Sequence, residues 1–289
     1  MNYVLHILVM INIYLILALS LNVLVGYTGL LSICHAAFYG IGAYIATLLM
    51  VKLGFNFFPA LLLGVLGAMV LSLPVAIPAL RLKGDYFVLA SLGFQIIAYS
   101  VLYNWVGLTR GPYGIPGIPR PEILGWQIST IPLYFVLTLL FALLCLFIFW
   151  RITSSPFGRV LKAIREDEIA AEALGKNITN FKVAAFAIAA GVAAISGALY
   201  AGYVTYIDPT SFNLEESIFI LSVVIIGGTG NLKGSVVGAI SLVILPEALR
   251  FVGIPDTVAP NVRQMIYGGL LVGLMFFRPQ GIVGEYQFE

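Results

Sequence analysis

Residues 151–182 read RITSSPFGRVLKAIREDEIAAEALGKNITNFK, and they form the only long, strongly charged segment of this 289-residue chain. The segment holds six of the fifteen Lys and Arg residues and four of the thirteen Asp and Glu residues (Arg151, Arg159, Lys162, Arg165, Lys176, Lys182, Glu166, Asp167, Glu168 and Glu172). Apolar runs of about 20 residues, the length that crosses a bilayer, flank it on both sides. We therefore expect this segment to lie outside the bilayer.

One amphipathic helix is predicted inside the charged segment. Ser155 is a good N-cap, Pro156 suits the first helical position, and Gly175 suits the position just past the end. At helical spacing, apolar side chains fall on one side and charged side chains on the other (Phe157, Val160, Leu161, Ile164 and Ala171 against Arg159, Lys162 and Glu166). Such a helix rests on its own protein, docks a partner, or lies on lipid, and the pattern alone leaves all three open.

The composition places the rest of the chain in a membrane. Hydrophobic residues make up 61% of the sequence, charged residues 10%, and the mean hydropathy is +1.03. Soluble domains carry about 25% charged residues. We predict an all-α, polytopic integral membrane protein with one domain over 1–289. No dense basic cluster points to nucleic acid. Cys34 and Cys145 lie in apolar runs and are expected to be small core residues.

Nine apolar runs are predicted to span the membrane. The first six cover residues 3–25, 32–51, 57–80, 86–106, 131–150 and 183–207, with an irregular external loop at 107–130. The last three cover 214–226, 235–252 and 262–277. Short runs broken at glycine are typical of discontinuous helices near a transport path. The alternative is eight spans and a re-entrant segment at 214–233, so the count is about eight or nine.

Orientation follows from the distribution of positive charge. With the charged segment in the cytoplasm and nine spans, ten Lys and Arg residues face inside (Arg81, Lys83, the six of the charged segment, Lys233 and Arg278). Five then face outside (Lys52, Arg110, Arg120, Arg250 and Arg263). This bias predicts an external N-terminus and a cytoplasmic C-terminus.

A short internal echo draws attention to glycine. VGYTGLL (25–31) is similar to IGGTGNL (226–232), and both follow an apolar run. In the predicted topology both copies face the cytoplasm, which would make a parallel repeat. The candidate helix-packing or gating residues are Gly26, Gly29, Gly227, Gly228, Gly230, Gly234 and Gly238. Gly230, Gly234 and Gly238 have GxxxG spacing, which favours close helix packing within the chain or, as the alternative, against a partner chain.

Polar side chains within spans are costly, so each is a candidate for function. Asn22, His35 and Gln95 are candidates for a substrate path, and hydrogen bonding between helices is the alternative. The sequence has no HExxH, GxSxG or GxxxxGK[ST] motif. We therefore expect no enzyme activity, no metal and no cofactor on this chain; any ATP would be bound by another subunit.

Five segments together resemble a known family. They are LNVLVGYTGLLSICHAAFYGIGAYIA (21–46), ALRLKGDYFVLASLGF (79–94), SPFGRVLKAIREDEIAAEALG (155–175), IGGTGNLKGSVVGA (226–239) and RQMIYGGLLVGLMFFRPQGIVG (263–284). In this order, and nearly end to end, they resemble the LivM-type permease of branched-chain amino acid ABC importers. GRVLKAIRED and GGTGNLKG are the most specific parts.

The resemblance implies a bacterial or archaeal plasma-membrane complex that works by alternating access. Its partners would be a second, LivH-like permease, two ATP-binding subunits carrying ATP and Mg, an extracytoplasmic substrate-binding protein, and membrane lipid. The ATPase contact would fall in the cytoplasmic coupling loop 151–182, at Pro156, Gly158, Arg159, Lys162, Ala163, Arg165, Glu166, Asp167 and Glu168. Gly158→Trp or Arg165→Glu would then stop transport while the protein stays in the membrane. Alternatives are a permease for urea, amides or another small polar solute, and a self-sufficient secondary carrier.

Overall fold

The computed structural model describes residues 2–80, 82, 84–123, 126–250, 262, 265–266, 268–269, 272–273 and 281–283. Several predicted features therefore lie outside the described residues. These are most of the ninth run, 262–277, and the side chains of five of the counted cations (Arg81, Lys83, Arg250, Arg263 and Arg278).

Eleven α-helices cover most of the described chain. They are α1 (Asn2–Asn22), α2 (His35–Leu53), α3 (Phe57–Ala79), α4 (Asp85–Asn104), α5 (Val106–Thr109), α6 (Ile131–Ser154), α7 (Pro156–Glu166), α8 (Glu168–Ala173), α9 (Ile178–Val204), α10 (Leu214–Gly227) and α11 (Leu232–Arg250). A π-helical turn, Val23–Tyr27, extends α1. Four two-residue strands complete the fold: β1 (Ile115–Pro116), β2 (Glu122–Ile123), β3 (Trp126–Gln127) and β4 (Tyr206–Ile207).

Seven helices of the described residues are long and apolar enough to cross a membrane. They contain α1, α2, α3, α4, α6, α9 and α10, and they coincide with the first seven predicted runs. α3, α4 and α6 expose rows of large apolar side chains, as lipid-facing helices do, whereas α2 and α9 are mostly buried. The prediction of a helical, multi-pass membrane protein is confirmed. The number of eight or nine spans stays a prediction.

Small residues let the central helices pack closely. A methyl group built on Gly42 would overlap Ala194 of α9, and one built on Gly197 would overlap the carbonyl oxygen of Tyr39 in α2. Larger side chains at these positions would push the two helices apart, so the alanine- and glycine-rich sequence of α2 and α9 determines their contact.

The two ends of the helix bundle differ in character. The end that carries 151–182 is called the charged end here. At the opposite end, the loop after α4 joins the link between α9 and α10 through an antiparallel pair, β1 with β4, in which Ile115 faces Ile207. The loop predicted to be irregular therefore has short ordered pieces, including the hairpin of β2 and β3.

α2 and α10 begin inside the bundle. His35, the first residue of α2, bonds Ser20 of α1, so residues 28–34 run back along the last turns of α1. α10 follows a similar return from the opposite end and has only 14 residues. That is about 21 Å of helix against roughly 30 Å of hydrocarbon. The expectation of broken helices near 214–233 agrees with this geometry.

One helix prediction was wrong in detail. The helix expected from Ser155 to the residues before Gly175 is two helices, α7 and α8, because Asp167 has extended backbone and caps the second one. The side chain of Asp167 accepts hydrogen bonds from the N–H groups of Ile169 and Ala170, at 2.9 and 3.0 Å. Gly175, with φ of +73°, follows α8 as predicted.

Candidate functional site

The start of α7 is fixed against the end of α6. The hydroxyl of Ser155 donates to the carbonyl oxygen of Ile152 at 2.6 Å and accepts from the N–H of Gly158 at 3.4 Å. Gly158 is buried, and a Cβ there would lie 2.5 Å from the carbonyl oxygen of Thr153. Only glycine fits this corner, so the start of α7 packs directly on the end of α6.

The inner face of α7 packs on the helix bundle. Leu161 and Ile164 are buried, and the ring of Phe157 stacks on that of Phe181 in α9, with 5.5 Å between centroids. The predicted apolar side of the helix therefore rests on the chain's own spans rather than on lipid.

Arg165 joins α7 to the π-helical turn at the end of α1. Its guanidinium donates to the carbonyl oxygen of Gly26 and pairs with the carboxylate of Glu166. One turn earlier, the ammonium of Lys162 lies 5.3 Å from the centroid of the Tyr27 ring. Two cations of α7 therefore hold the same turn of α1.

That turn is in contact with the loop between α10 and α11. Asn22 donates to the carbonyl oxygen of Asn231 at 2.9 Å and to the hydroxyl of Ser235 at 2.7 Å. Its side-chain oxygen accepts from the N–H of Gly230 at 2.9 Å. A methyl group on Gly26 would overlap that same nitrogen. We call Gly26, Asn22 and Gly230, with the residues they bond, the glycine junction.

The other candidate glycines continue the glycine junction into α10 and α11. Gly227 of α10 lies against Gly234 and Gly238 of α11 so closely that a Cβ on any of them would overlap backbone atoms of the other helix. The N–H groups of Ile282 and Val283 donate to the carbonyl oxygens of Ile226 and Gly227, at 2.9 and 3.0 Å. These glycines thus pack within the chain.

Left-handed backbone marks the ends of both echo segments. Gly29 has φ of +70° and Gly230, its counterpart in the echo, has φ of +78°. Gly29 also lies beside the side chain of Arg165: a Cβ built on Gly29 would be 3.3 Å from the Cγ of Arg165. Gly228, with φ of +118°, ends α10. The two similar sequences thus adopt the same kind of turn after a helix, and both lie at the charged end.

α8 is attached to α9 by an ion pair. Lys182 is 6% exposed, and its ammonium bonds the carboxylate of Glu168, the first residue of α8. Ala171 is buried beneath the same helix. The pair satisfies a cation that would otherwise be buried without a partner, which is costly.

The outer face of α7 consists of Pro156, Arg159, Ala163 and Glu166, which are exposed and spaced three or four residues apart, followed by the exposed Asp167. The other proposed coupling residues point inward or sideways: Gly158 is buried, and Lys162, Arg165 and Glu168 are half-buried. Gly158→Trp and Arg165→Glu would therefore disturb the chain's own packing, and they do not test docking. Substitutions of the exposed Arg159 and Ala163 test docking.

A second polar cluster joins α2, α4 and α10 inside the bundle. The side-chain oxygen of Gln95 accepts from the N–H of Ala37 at 2.8 Å and from the hydroxyl of Ser217 at 3.0 Å, and its amide donates to the carbonyl oxygen of Phe212 at 2.9 Å. The hydroxyl of Ser217 accepts from the N–H of Ala36 at 2.9 Å. Gln95 thus bridges the N-termini of two helices that begin inside the bundle.

His35 occupies the first position of α2 in the same region. Its Nε2 lies 2.6 Å from the hydroxyl of Ser20, and the residue is fully buried. Its Nδ1 has no hydrogen-bond partner among the described residues. The three residues proposed for a substrate path, Asn22, His35 and Gln95, are all 0% exposed and tie helices together.

The structure brings some predicted residues together and separates others. The coupling residues and the glycines meet at the contact of Arg165 with Gly26, whereas Gln95 belongs to the separate interior cluster.

Sequence analysis missed Ser217 and Asn213, the N-cap of α10. The order Asn213-Leu-Glu-Glu216 is a capping signal that would have placed the helix start. Among the described residues no His, Cys, Asp and Glu cluster could hold a metal ion.

Comparison with known proteins identifies the family. Residues 3–275 match the family described as branched-chain amino acid transport system / permease component. The chain is 36% identical to the high-affinity branched-chain amino acid transport system permease protein LivM of Salmonella typhimurium, over 94% of this chain and 68% of that protein. It is 28% identical to the probable branched-chain amino acid transport permease protein LivM of Methanocaldococcus jannaschii, over 95% of this chain and 91% of that protein.

A weaker similarity extends to the other permease type. The chain is 25% identical to LivH of Escherichia coli, over 96% of this chain and 92% of that protein. No solved structure matches. The resemblance inferred from the five sequence segments is therefore confirmed: the chain belongs to the family of permease components of branched-chain amino acid transport systems.

Proposed function

We propose that this chain is the membrane-spanning permease subunit of an ATP-driven importer of branched-chain or related hydrophobic amino acids. It acts as a single permease domain, with 151–182 as the coupling loop on the cytoplasmic side, and separate ATP-binding subunits supply the energy. Its further partners are a LivH-like permease and an extracytoplasmic substrate-binding protein. The observation that supports this most is the double nature of α7, which has an exposed outer face and an inner face bonded to the glycine junction.

Movement of α7 would reach the membrane interior by a short route. An ATPase that shifts the outer face of α7 shifts Arg165, which holds Gly26, and Gly26 packs on the loop between α10 and α11. π-helical turns are frequent at functional sites, because they are less regular than the α-helix around them. α10 extends from this loop to the cluster of Ser217 and Gln95, so both clusters move as one packed unit. Such rigid-body switching would provide alternating access.

Uptake of labelled leucine into proteoliposomes that contain the complete assembly tests the proposal. We expect uptake that requires ATP on the side of the ATPase subunits. Arg159→Glu, on the outer face of α7, is expected to reduce uptake at least about ten-fold, because reversing an interface charge costs more than 1.4 kcal/mol. Lys176→Glu is the matched control, since Lys176 is exposed but lies outside α7.

Two results would contradict the proposal. Uptake by this chain alone without ATP would make it a secondary carrier. Uptake of urea or acetamide, with no competition from leucine, would keep the importer and replace its solute class.

A further inference from the structure

A groove at the charged end lies between α6, α7 and α11, beside the glycine junction. It has a volume of ≈ 670 Å³. One part is polar, with Lys162 of α7, Lys233 and Asn231 beside α11, and the hydroxyls at the end of α6. The other part is apolar, with Leu143, Phe147 and Trp150 along α6.

The polar part of the groove lies at the charged end, and the apolar part lies deeper along α6. Ser154 ends α6 at the charged end, and Leu143 lies about 16 Å further into the bundle, at roughly 1.5 Å per residue. Phe147 and Trp150 are 59% and 55% exposed, so this stretch of α6 is open to lipid. A molecule that fills the groove therefore meets cations at the membrane surface and an apolar wall below it.

The charge of the groove selects an anion. Among the residues that the structure describes, no Asp or Glu lines it. Within the described part of the chain, neither Lys162 nor Lys233 has a carboxylate within ion-pair distance, since the two ion pairs found there are Arg165 with Glu166 and Lys182 with Glu168. Basic pockets between transmembrane helices on the cytoplasmic side bind anionic lipid headgroups.

We propose that this groove binds one anionic phospholipid of the cytoplasmic leaflet. Its phosphate lies between Lys162 and Lys233, and its acyl chains lie on α6 against Phe147 and Trp150. This site is independent of the solute that the chain carries. A bound lipid would connect α7 with α11 through Lys162, which lies beside the exposed outer face of α7.

Quenching of tryptophan by brominated lipid tests the proposal directly. The chain has three tryptophans, and Trp105→Phe with Trp126→Phe leaves Trp150 as the only one in the full chain. In mixed micelles, we expect dibrominated phosphatidylglycerol to quench Trp150 at a lower lipid fraction than dibrominated phosphatidylcholine. Lys162→Gln and Lys233→Gln should each reduce this preference about five-fold, the factor for one lysine near an anionic surface. Lys176→Gln is the control and should retain it.

Four outcomes would overturn the proposal. They are equal quenching by the two lipids, a preference that survives Lys162→Gln with Lys233→Gln, displacement of the brominated lipid by soluble glycerol 3-phosphate, and no quenching by either lipid. The third indicates a soluble anion and the fourth a groove covered by protein. Native mass spectrometry of the unaltered chain, with retained phosphatidylglycerol counted, provides a second measurement that does not depend on the tryptophan variants.

Discussion

Gly26 has a neighbour on each side that leaves no room for a side chain. The N–H of Gly230 and the side-chain oxygen of Asn22 both occupy the space where its Cβ would be, and its carbonyl oxygen accepts from Arg165. Gly26 thus allows α1 to pack closely on the loop between α10 and α11, and its carbonyl oxygen links the glycine junction to α7. Packing at this scale depends on backbone atoms that only a glycine leaves accessible.

Gly26→Ala is expected to lower the thermal unfolding midpoint in detergent by several degrees and to impair uptake. Overpacking of this kind costs about 1–3 kcal/mol. Gly93→Ala is the control, because a Cβ on Gly93 of α4 meets nothing within 4 Å and alanine favours the helix. Equal midpoints for the two variants would show that the junction has room to relax.

Gln95→Leu should destabilise the protein by about 1–3 kcal/mol, because the carbonyl oxygen of Phe212 and the hydroxyl of Ser217 lose a buried partner. Asn104→Leu serves as the comparison, since the side chain of the exposed Asn104 bonds, within the described ranges, only the carbonyl oxygen of Ser100 in its own helix. The thermal midpoints of the two variants decide the matter. A Gln95→Leu midpoint as high as that of Asn104→Leu would contradict the bridging role of Gln95.

At the scale of elements, the charged segment is built from two helices with different attachments. α7 is fixed to α6 and to the end of α1, whereas α8 is attached to α9 through Glu168 and Lys182. Asp167 separates them. The segment therefore consists of two helices that are attached to the bundle by different contacts.

Glu168→Gln should lower the free energy of unfolding by about 1–2 kcal/mol, because Lys182 stays buried without its anion. The loss is no larger because water already screens the half-exposed carboxylate of Glu168. Adding Lys182→Met should restore part of this loss, since no charge is then left in the interior. Thermal midpoints and hydrogen exchange of the α8 amides measure both variants. A double variant less stable than the single one would rule out this account of the pair.

Helix positions could be predicted from the sequence, because each span is an apolar run and Ser155-Pro156 marks the start of α7. The break at Asp167 was missed, although an aspartate before Glu168 is a capping signal, because the apolar pattern continues across it. The contact of Gln95 with Ser217 could not be predicted, since the residues lie 122 positions apart. Hydrogen bonds between distant helices leave no periodic trace in the sequence.

At the scale of the whole molecule, hydrogen bonds of side chains join the elements at both ends and in the interior, while lipid-facing surfaces are apolar. Short loops at the charged end, the turn after α1, and residues 281–283 all meet around the glycine junction. The charged end therefore joins α1, α10 and α11 to one another.

Labelling of single cysteines tests the proposed orientation. Cys34 and Cys145 are free and buried, so the unaltered chain should give little background. We expect Tyr113→Cys, at a position that is 78% exposed at the opposite end, to react with a membrane-impermeant maleimide on intact cells. Lys176→Cys should react only after permeabilisation. The reverse pattern would place the charged end outside.

The central claim is that the outer face of α7 contacts an ATPase, and cross-linking from Ala163 measures this most directly. Ala163→Cys, carrying a benzophenone maleimide, would be irradiated in native membranes, with Tyr113→Cys as the control. The account predicts a cross-link from Ala163 to an ATP-binding subunit, with a yield that changes when ATP is added, and none from Tyr113. Cross-links from Ala163 to lipid alone, or none at all, would contradict it.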